Sequence, residues 1–113
     1  MRLLAIEKDV LRYILYEEGA MSMLNLQEIT DQILKEPKNV DLFYQRGILF
    51  KKIEEYAKAV DDFSKAITIE GEVPKYLMEL AQCYTAQKRH DAAVQMWSKL
   101  VEINPSAFNF RDP

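Results

Sequence analysis

Few side chains in this chain are equipped for chemistry, and none has the company that chemistry requires. His90 is the only histidine and Cys83 the only cysteine. A catalytic or metal-bound imidazole needs a nucleophile, an orienting acid, or two to three further ligands converging on it, and nothing of that kind accompanies His90. It stands at a turn ahead of a helical pattern, where Tyr56 stands 34 residues earlier, and this place assigns it a structural or capping role. Cys83 corresponds to Leu49 at the same interval and reads as a small buried thiol, not a redox centre. A single cysteine also excludes an internal disulfide framework. The carboxylate pairs Glu54-Glu55 and Asp61-Asp62 fall on helix starts and outer faces, without surroundings that would drive their pKa values apart. No glycine-rich phosphate loop is present, and Trp97 and the tyrosines recur at helical spacing as core residues. The expectation is a protein with no enzymatic activity, no metal and no cofactor.

The elements that carry these residues repeat. Ala59-Val60-Asp61-Asp62-Phe63-Ser64-Lys65-Ala66-Ile67-Thr68-Ile69 returns 34 residues later as Ala93-Val94-Gln95-Met96-Trp97-Ser98-Lys99-Leu100-Val101-Glu102-Ile103. Ala59, Phe63, Ala66 and Ile67 lie at i, i+4, i+7 and i+8, as do Ala93, Trp97, Leu100 and Val101, which is one stripe of an amphipathic helix. Phe43, Gly47 and Phe50, then Leu77, Ala81 and Tyr84, form a similar stripe on the helix before each. Gly47 and Ala59, then Ala81 and Ala93, let paired helix axes approach closely while Phe63 and Trp97 fill the seams. Asn39 is placed to cap a helix starting at Val40, and Pro74 suits a first helical turn, where its missing N–H has no consequence. Lys51-Lys52 and Lys88-Arg89 fall where each first helix should end, matching the helix dipole. Lys58–Asp62 and Asp61–Lys65 have the spacing of exposed i,i+4 pairs. Self-similarity at such an interval marks a solenoid, in which each unit buries its apolar face against its neighbours.

Phe43-x2-Arg46-Gly47-x2-Phe50 followed by Ala59-x3-Phe63, and Leu77-x2-Leu80-Ala81-x2-Tyr84 followed by Ala93-x3-Trp97, resemble the tetratricopeptide repeat, with Pro105 in its closing proline position. The spacing holds without a gap from Val40 to Ala107; Arg46 stands where an apolar residue is usual and Leu100 where a small one is. The resemblance implies an all-α, right-handed solenoid of antiparallel helical hairpins, about six helices in a single domain over 1–113. Repeats are expected at 40–73 and 74–107, with a tail at 108–113. Residues 1–39 read as a degenerate N-terminal hairpin. One broad apolar helix through Leu3–Leu15 is closed by Glu17-Glu18-Gly19, and a second, carrying Leu24, Leu26, Ile29, Ile33 and Leu34, is closed by Pro37. Counting in phase puts Tyr13 at the Gly47 position and Asn25 at the Ala59 position. An unrelated docking hairpin is the alternative.

At 113 residues, 49% hydrophobic and 29% charged, the chain fits one domain with a real core. A formal charge of −3 with no basic cluster argues against nucleic acid and anionic membrane as partners. No apolar run approaches a membrane span, and Glu7 and Asp9 come too early for a secretory signal. A cytoplasmic location is expected.

Recognition is what remains. By resemblance, the first helix of each repeat lines a concave groove for a partner peptide. Carried over by position, the groove residues are Asp41, Tyr44, Gln45, Ile48 and Lys52, with Lys75, Met78, Glu79, Gln82 and Ala86. A subclass of the family grips acidic chaperone tails with basic and amide groups. Gln45, Ile48 and Glu79 do not supply that set, and only Lys75 matches. The reading is a non-catalytic adaptor or assembly module for a protein or peptide partner with one or two apolar anchors. The alternative is a self-associating module forming homodimers or arrays through open ends. At the C-terminal end, the tail residues Phe108 and Phe110 are expected to cover a face around Leu100, or to pair with a second copy.

Overall fold

The computed structural model describes residues 18–108, with side chains over 25–106. Five α-helices follow one another: α1 (Glu18–Lys35), α2 (Val40–Lys52), α3 (Tyr56–Glu70), α4 (Pro74–Ala86) and α5 (His90–Ile103), and a 3-10 turn, Pro105–Phe108, comes last. Each helix packs on the next, α4 also touches α2, and the 3-10 turn rests on α5. Among the described residues there is no strand. The all-α solenoid of hairpins is what the 34-residue pattern dictates.

Local chemistry sets the helix limits. The Asn39 side chain accepts a hydrogen bond from the Asp41 N–H at 3.1 Å and starts α2. Pro74 opens α4 in its first turn. Gly71 ends α3 at φ 107, a left-handed conformation that favours glycine. Within both hairpins the reversal passes through a non-glycine left-handed residue, Glu54 (φ 65) and Lys88 (φ 63), one interval of the repeat apart. Glu55 N–H then donates to the Phe50 carbonyl and Arg89 N–H to the Tyr84 carbonyl, both at 2.8 Å. Lys88 and Arg89 therefore lie past the end of α4 instead of in its last turn, and Arg89 stacks over the Tyr84 ring at 4.8 Å.

The core runs along the seams between helices. Ala59, Phe63, Leu80 and Cys83 form one buried cluster, with Tyr44, Ile48, Phe50, Val60, Ile67 and Met96 packed around it. Ile33, Leu42 and Phe43 form a second, flanked by Ile29 and Ile69. Gly47 permits the closest approach. A Cβ built there would lie 2.7 Å from Cε1 of Phe63, whose ring is fully buried.

Several sequence expectations need correction. Trp97 is 36% exposed, not buried like Phe63, because no helix of the described residues lies beyond α5 to cover its face. Val94 and Val101, the counterparts of the half-buried Val60 and Ile67, share that open face. Leu100, by contrast, is fully buried, as is its counterpart Ala66. Phe108 closes the 3-10 turn, and Phe110 lies outside the described residues. Asp62 is not on a solvated face: it is buried, and its partner is Arg46, not Lys58, which sits over the Phe50 ring at 5.7 Å. Glu18 and Gly19 open α1 instead of closing an earlier helix, and Leu34 is exposed. The helix expected through Leu3–Leu15 lies outside the described residues.

Candidate recognition groove

The expected groove residues divide into three environments. Tyr44 is half-buried, its ring 5.9 Å from Phe63 and 5.6 Å from Tyr76, and burial raises its pKa above the ordinary phenol value. Lys75 is exposed and places Nζ 4.7 Å from the Tyr44 ring centroid and 5.6 Å from that of Tyr76. Such cation–π contact leaves the ammonium available to solvent while covering the aromatic edge. Tyr76 is fully buried, and its hydroxyl donates to Glu70 Oε1 at 2.5 Å, tying the start of α4 to the end of α3.

Further along the same face, Lys51 Nζ donates to Glu79 Oε1 at 2.5 Å and to the Gln82 side-chain carbonyl at 2.6 Å. One ammonium thus bridges α2 to α4 and neutralises Glu79, which is not a bare negative charge in the groove. The sequence reading assigned Lys51 only to the helix dipole. Ile48 packs against the core cluster beside this bridge, and Met78 is half-buried. Asp41, Gln45, Lys52 and Ala86 are exposed, with Asp41 and Lys52 at opposite ends of α2 and Ala86 ending α4. Tyr44, Gln45 and Ile48 are brought together. Lys52 and Ala86 stand apart from them.

The concavity on this face is a groove of about 560 Å³ lined by Asn25, Glu28, Ile29 and Gln32 of α1 and Tyr44, Gln45, Ile48 and Leu49 of α2. Ile29, Tyr44, Ile48 and Leu49 supply apolar contact, and Asn25, Gln32 and Gln45 supply amides. The α1 residues were missed because the N-terminal hairpin departs from the repeat pattern. Their signal was positional, since each falls one interval before a residue of α3.

Arg46 supports the groove from behind. Its Nε and Nη2 donate to the two Asp62 carboxylate oxygens at 2.8 Å each, and Nη1 reaches Thr30 Oγ1 at 3.3 Å. This fork joins α1, α2 and α3. Burial pushes the Asp62 carboxyl up, opposed by the Arg46 hydrogen bonds, while the same bonds raise Arg46. In the second repeat these two positions are Leu80 and Met96, an apolar pair in the core cluster. The departure of Arg46 from the repeat pattern is thereby matched by Asp62.

Among the described residues, Cys83 and His90 stand apart from any catalytic constellation. Cys83 is buried, which pushes its thiol up to about 11 and keeps it protonated. His90 is exposed at the first position of α5. Among the described residues no cluster of histidine, cysteine and carboxylates has the makings of a metal site, and no helix is long and apolar enough to cross a membrane.

Residues 40–72 and 76–107 each match the tetratricopeptide repeat family, together more than half of the chain. The chain belongs to that family. Its tetratricopeptide fold is similar to the solved structure of MamA 41-end from Desulfovibrio magneticus RS-1, with a TM-score of 0.72 and 20% identity over 86% of this chain and 54% of that one. A second MamA crystal structure matches with a TM-score of 0.70 and 18% identity over 88% of this chain and 56% of the other. The tetratricopeptide chain thus spans little more than half the length of the structures it resembles.

Proposed function

We propose that this chain is a non-catalytic adaptor or assembly module that takes a partner polypeptide on its concave face. The observation that carries the reading is the groove between α1 and α2, where Ile29, Tyr44 and Ile48 alternate with the amides of Asn25, Gln32 and Gln45. Apolar side chains give adaptable contact area, and amides pair with the polar groups of a bound segment. Lys75 over Tyr44 and the Lys51 bridge extend that surface toward Met78 on α4. A cytoplasmic location belongs to the same reading. Fluorescence anisotropy with a library of amphipathic peptides tests it. Binders should weaken about tenfold with Ile48→Ala, and their affinity should change little with salt, because screening acts on exposed charges. An affinity that collapses with salt yet survives Ile48→Ala and Met78→Ala refutes it.

A second reading, self-association through the C-terminal end, is favoured by the open α5 face, where Val94 is 60% and Val101 41% exposed. Sedimentation over a concentration series distinguishes it, with Val101→Glu expected to abolish any association.

A further inference from the structure

The groove between α1 and α2 has an apolar floor and one charge on its wall. Asn25, Glu28, Ile29 and Gln32 stand at i, i+3, i+4 and i+7, a single stripe of α1, and share the groove with Tyr44 and Ile48 of α2. Of the described residues that line it, Glu28 alone is charged. Its side chain is exposed, and among the described residues no ion pair or hydrogen bond engages it. The lysines of this face are placed elsewhere: Lys75 lies over the Tyr44 and Tyr76 rings, and Lys51 is held by Glu79 and Gln82. The Glu28 carboxylate therefore waits for a cation that an occupant must bring.

The same chain shows what a carboxylate at this place in the repeat accepts. Asp62, 34 residues after Glu28, takes the Arg46 guanidinium through two hydrogen bonds of 2.8 Å. That guanidinium carbon lies 5.9 Å from the Phe43 ring centroid and 5.6 Å from that of Phe50, so apolar surface covers the charge it neutralises. Two forked N–H donors match two carboxylate oxygens, which the point charge of an ammonium does not. Gln45 and Ile48 stand one interval before Glu79 and Gln82, the pair that holds Lys51. An amide and an aliphatic residue replace that pair in the groove, which thus offers a seat for one cation and not for two.

We propose that the groove between α1 and α2 selects its partner polypeptide by a single arginine, the guanidinium forked on Glu28 and an aliphatic neighbour seated among Ile29, Tyr44 and Ile48. The inference rests on the reading of the groove as a recognition surface and adds the charge that chooses the partner. A segment with an acid at that point meets Glu28 with like charge, and a neutral one leaves the carboxylate without a counter-charge in a partly covered site. One ion pair at an exposed wall supplies selectivity more than affinity, so apolar contact still dominates the binding.

Fluorescence anisotropy on the full chain tests this with a labelled, capped peptide of alanine, glutamine and leucine bearing one central arginine, and with its citrulline and lysine twins. Citrulline keeps the shape of arginine without the charge. The wild type should bind the arginine peptide about five- to tenfold more tightly than the citrulline peptide, with the lysine peptide between them. Glu28→Gln should erase that preference by weakening the arginine peptide alone, and should leave the Tm of the free protein within about 2 °C. A preference that survives Glu28→Gln overturns the proposal, and a lysine peptide equal to the arginine peptide overturns the choice of arginine. A free Glu28→Gln protein that melts about 5 °C or more lower overturns it too, because the carboxylate then already serves the fold. If all three peptides bind alike and weaken with Ile48→Ala, the arginine fails while the groove reading stands. If none binds, both fail.

Discussion

Replacing Gly47 by alanine sets two effects of known size against each other. In a helix interior, alanine is favoured over glycine by about 1 kcal/mol. The added methyl would lie 2.7, 2.9 and 3.0 Å from Cε1, Cζ and Cδ1 of Phe63. The ring has no room to retreat, since Phe63, Ala59 and Cys83 are all 0% exposed and belong to one cluster. Overpacking of this kind costs about 1–3 kcal/mol, and three contacts at or below 3.0 Å place it toward the upper end. Gly47→Ala should therefore lose about 1–2 kcal/mol net, which for a domain of this size lowers Tm by about 4–8 °C. Phe63→Leu removes Cε1 and Cζ, and in that background Gly47→Ala should instead stabilise by about 1 kcal/mol. The cycle, read by guanidinium unfolding followed at 222 nm, should give a coupling of about 2–3 kcal/mol. Equal stabilisation by Gly47→Ala in both backgrounds would show that the α2–α3 seam does not depend on the missing side chain.

Arg46→Leu or Asp62→Met alone should destabilise by about 3–5 kcal/mol by leaving a buried charge unpaired, while the pair, which copies Leu80 and Met96, should return to within about 1 kcal/mol of wild type; urea midpoints decide. Lys88→Gly should stabilise by about 0.5–1 kcal/mol, because a left-handed residue with a Cβ is strained at that turn, and a lower melting temperature would contradict it. Phe63→Ala should cost about 3–5 kcal/mol, and Trp97→Ala clearly less, since its indole is already 36% exposed; equal losses would refute the assignment of the open face. Burial holds the Cys83 thiol at about 11 and also raises Tyr76, so the folded state keeps protons that the unfolded chain releases from about pH 9. Stability should then fall as pH rises from about 9 to 11, by up to about 1.4 kcal/mol per unit for each group, and Cys83→Ala should flatten the slope of the urea midpoint against pH.

The hairpins at 40–73 and 74–107 were legible because the repeat is written twice in phase, so small and aromatic residues could be paired by counting. Asn39, Pro74 and Gly47 act through local or one-step geometry, and their roles follow from residue type alone. Asp62 was misassigned because its spacing to Lys58 also fits a surface pair, whereas the fork to Arg46 spans 16 residues and exists only after α2 and α3 pack. Tyr76 bears out the reading of the tyrosines as core residues, and Leu42, one interval before it, is also apolar and buried. Trp97 misled for a different reason. Its residue type reports the seam that the repeat pattern provides for, and burial there depends on a following helix. Of the groove, the α2 half was readable by resemblance. The α1 half was hidden because Asn25, Glu28 and Gln32 replace the small and buried residues that mark the pattern.

Two near-copies of one hairpin in a single chain leave a pairing ambiguity during folding, since α2 could close on α5, and α4 on α3. The fork between Arg46 and Asp62 separates these outcomes. In the exchanged arrangement Arg46 would face Met96 and Asp62 would face Leu80, each charge entering an apolar seam with no counter-charge. Stranding even one such group costs about 3–5 kcal/mol, enough to depopulate the wrong pairing by two or more orders of magnitude. The residue that breaks the repeat pattern at Arg46 thus makes the two hairpins distinguishable to the chain itself.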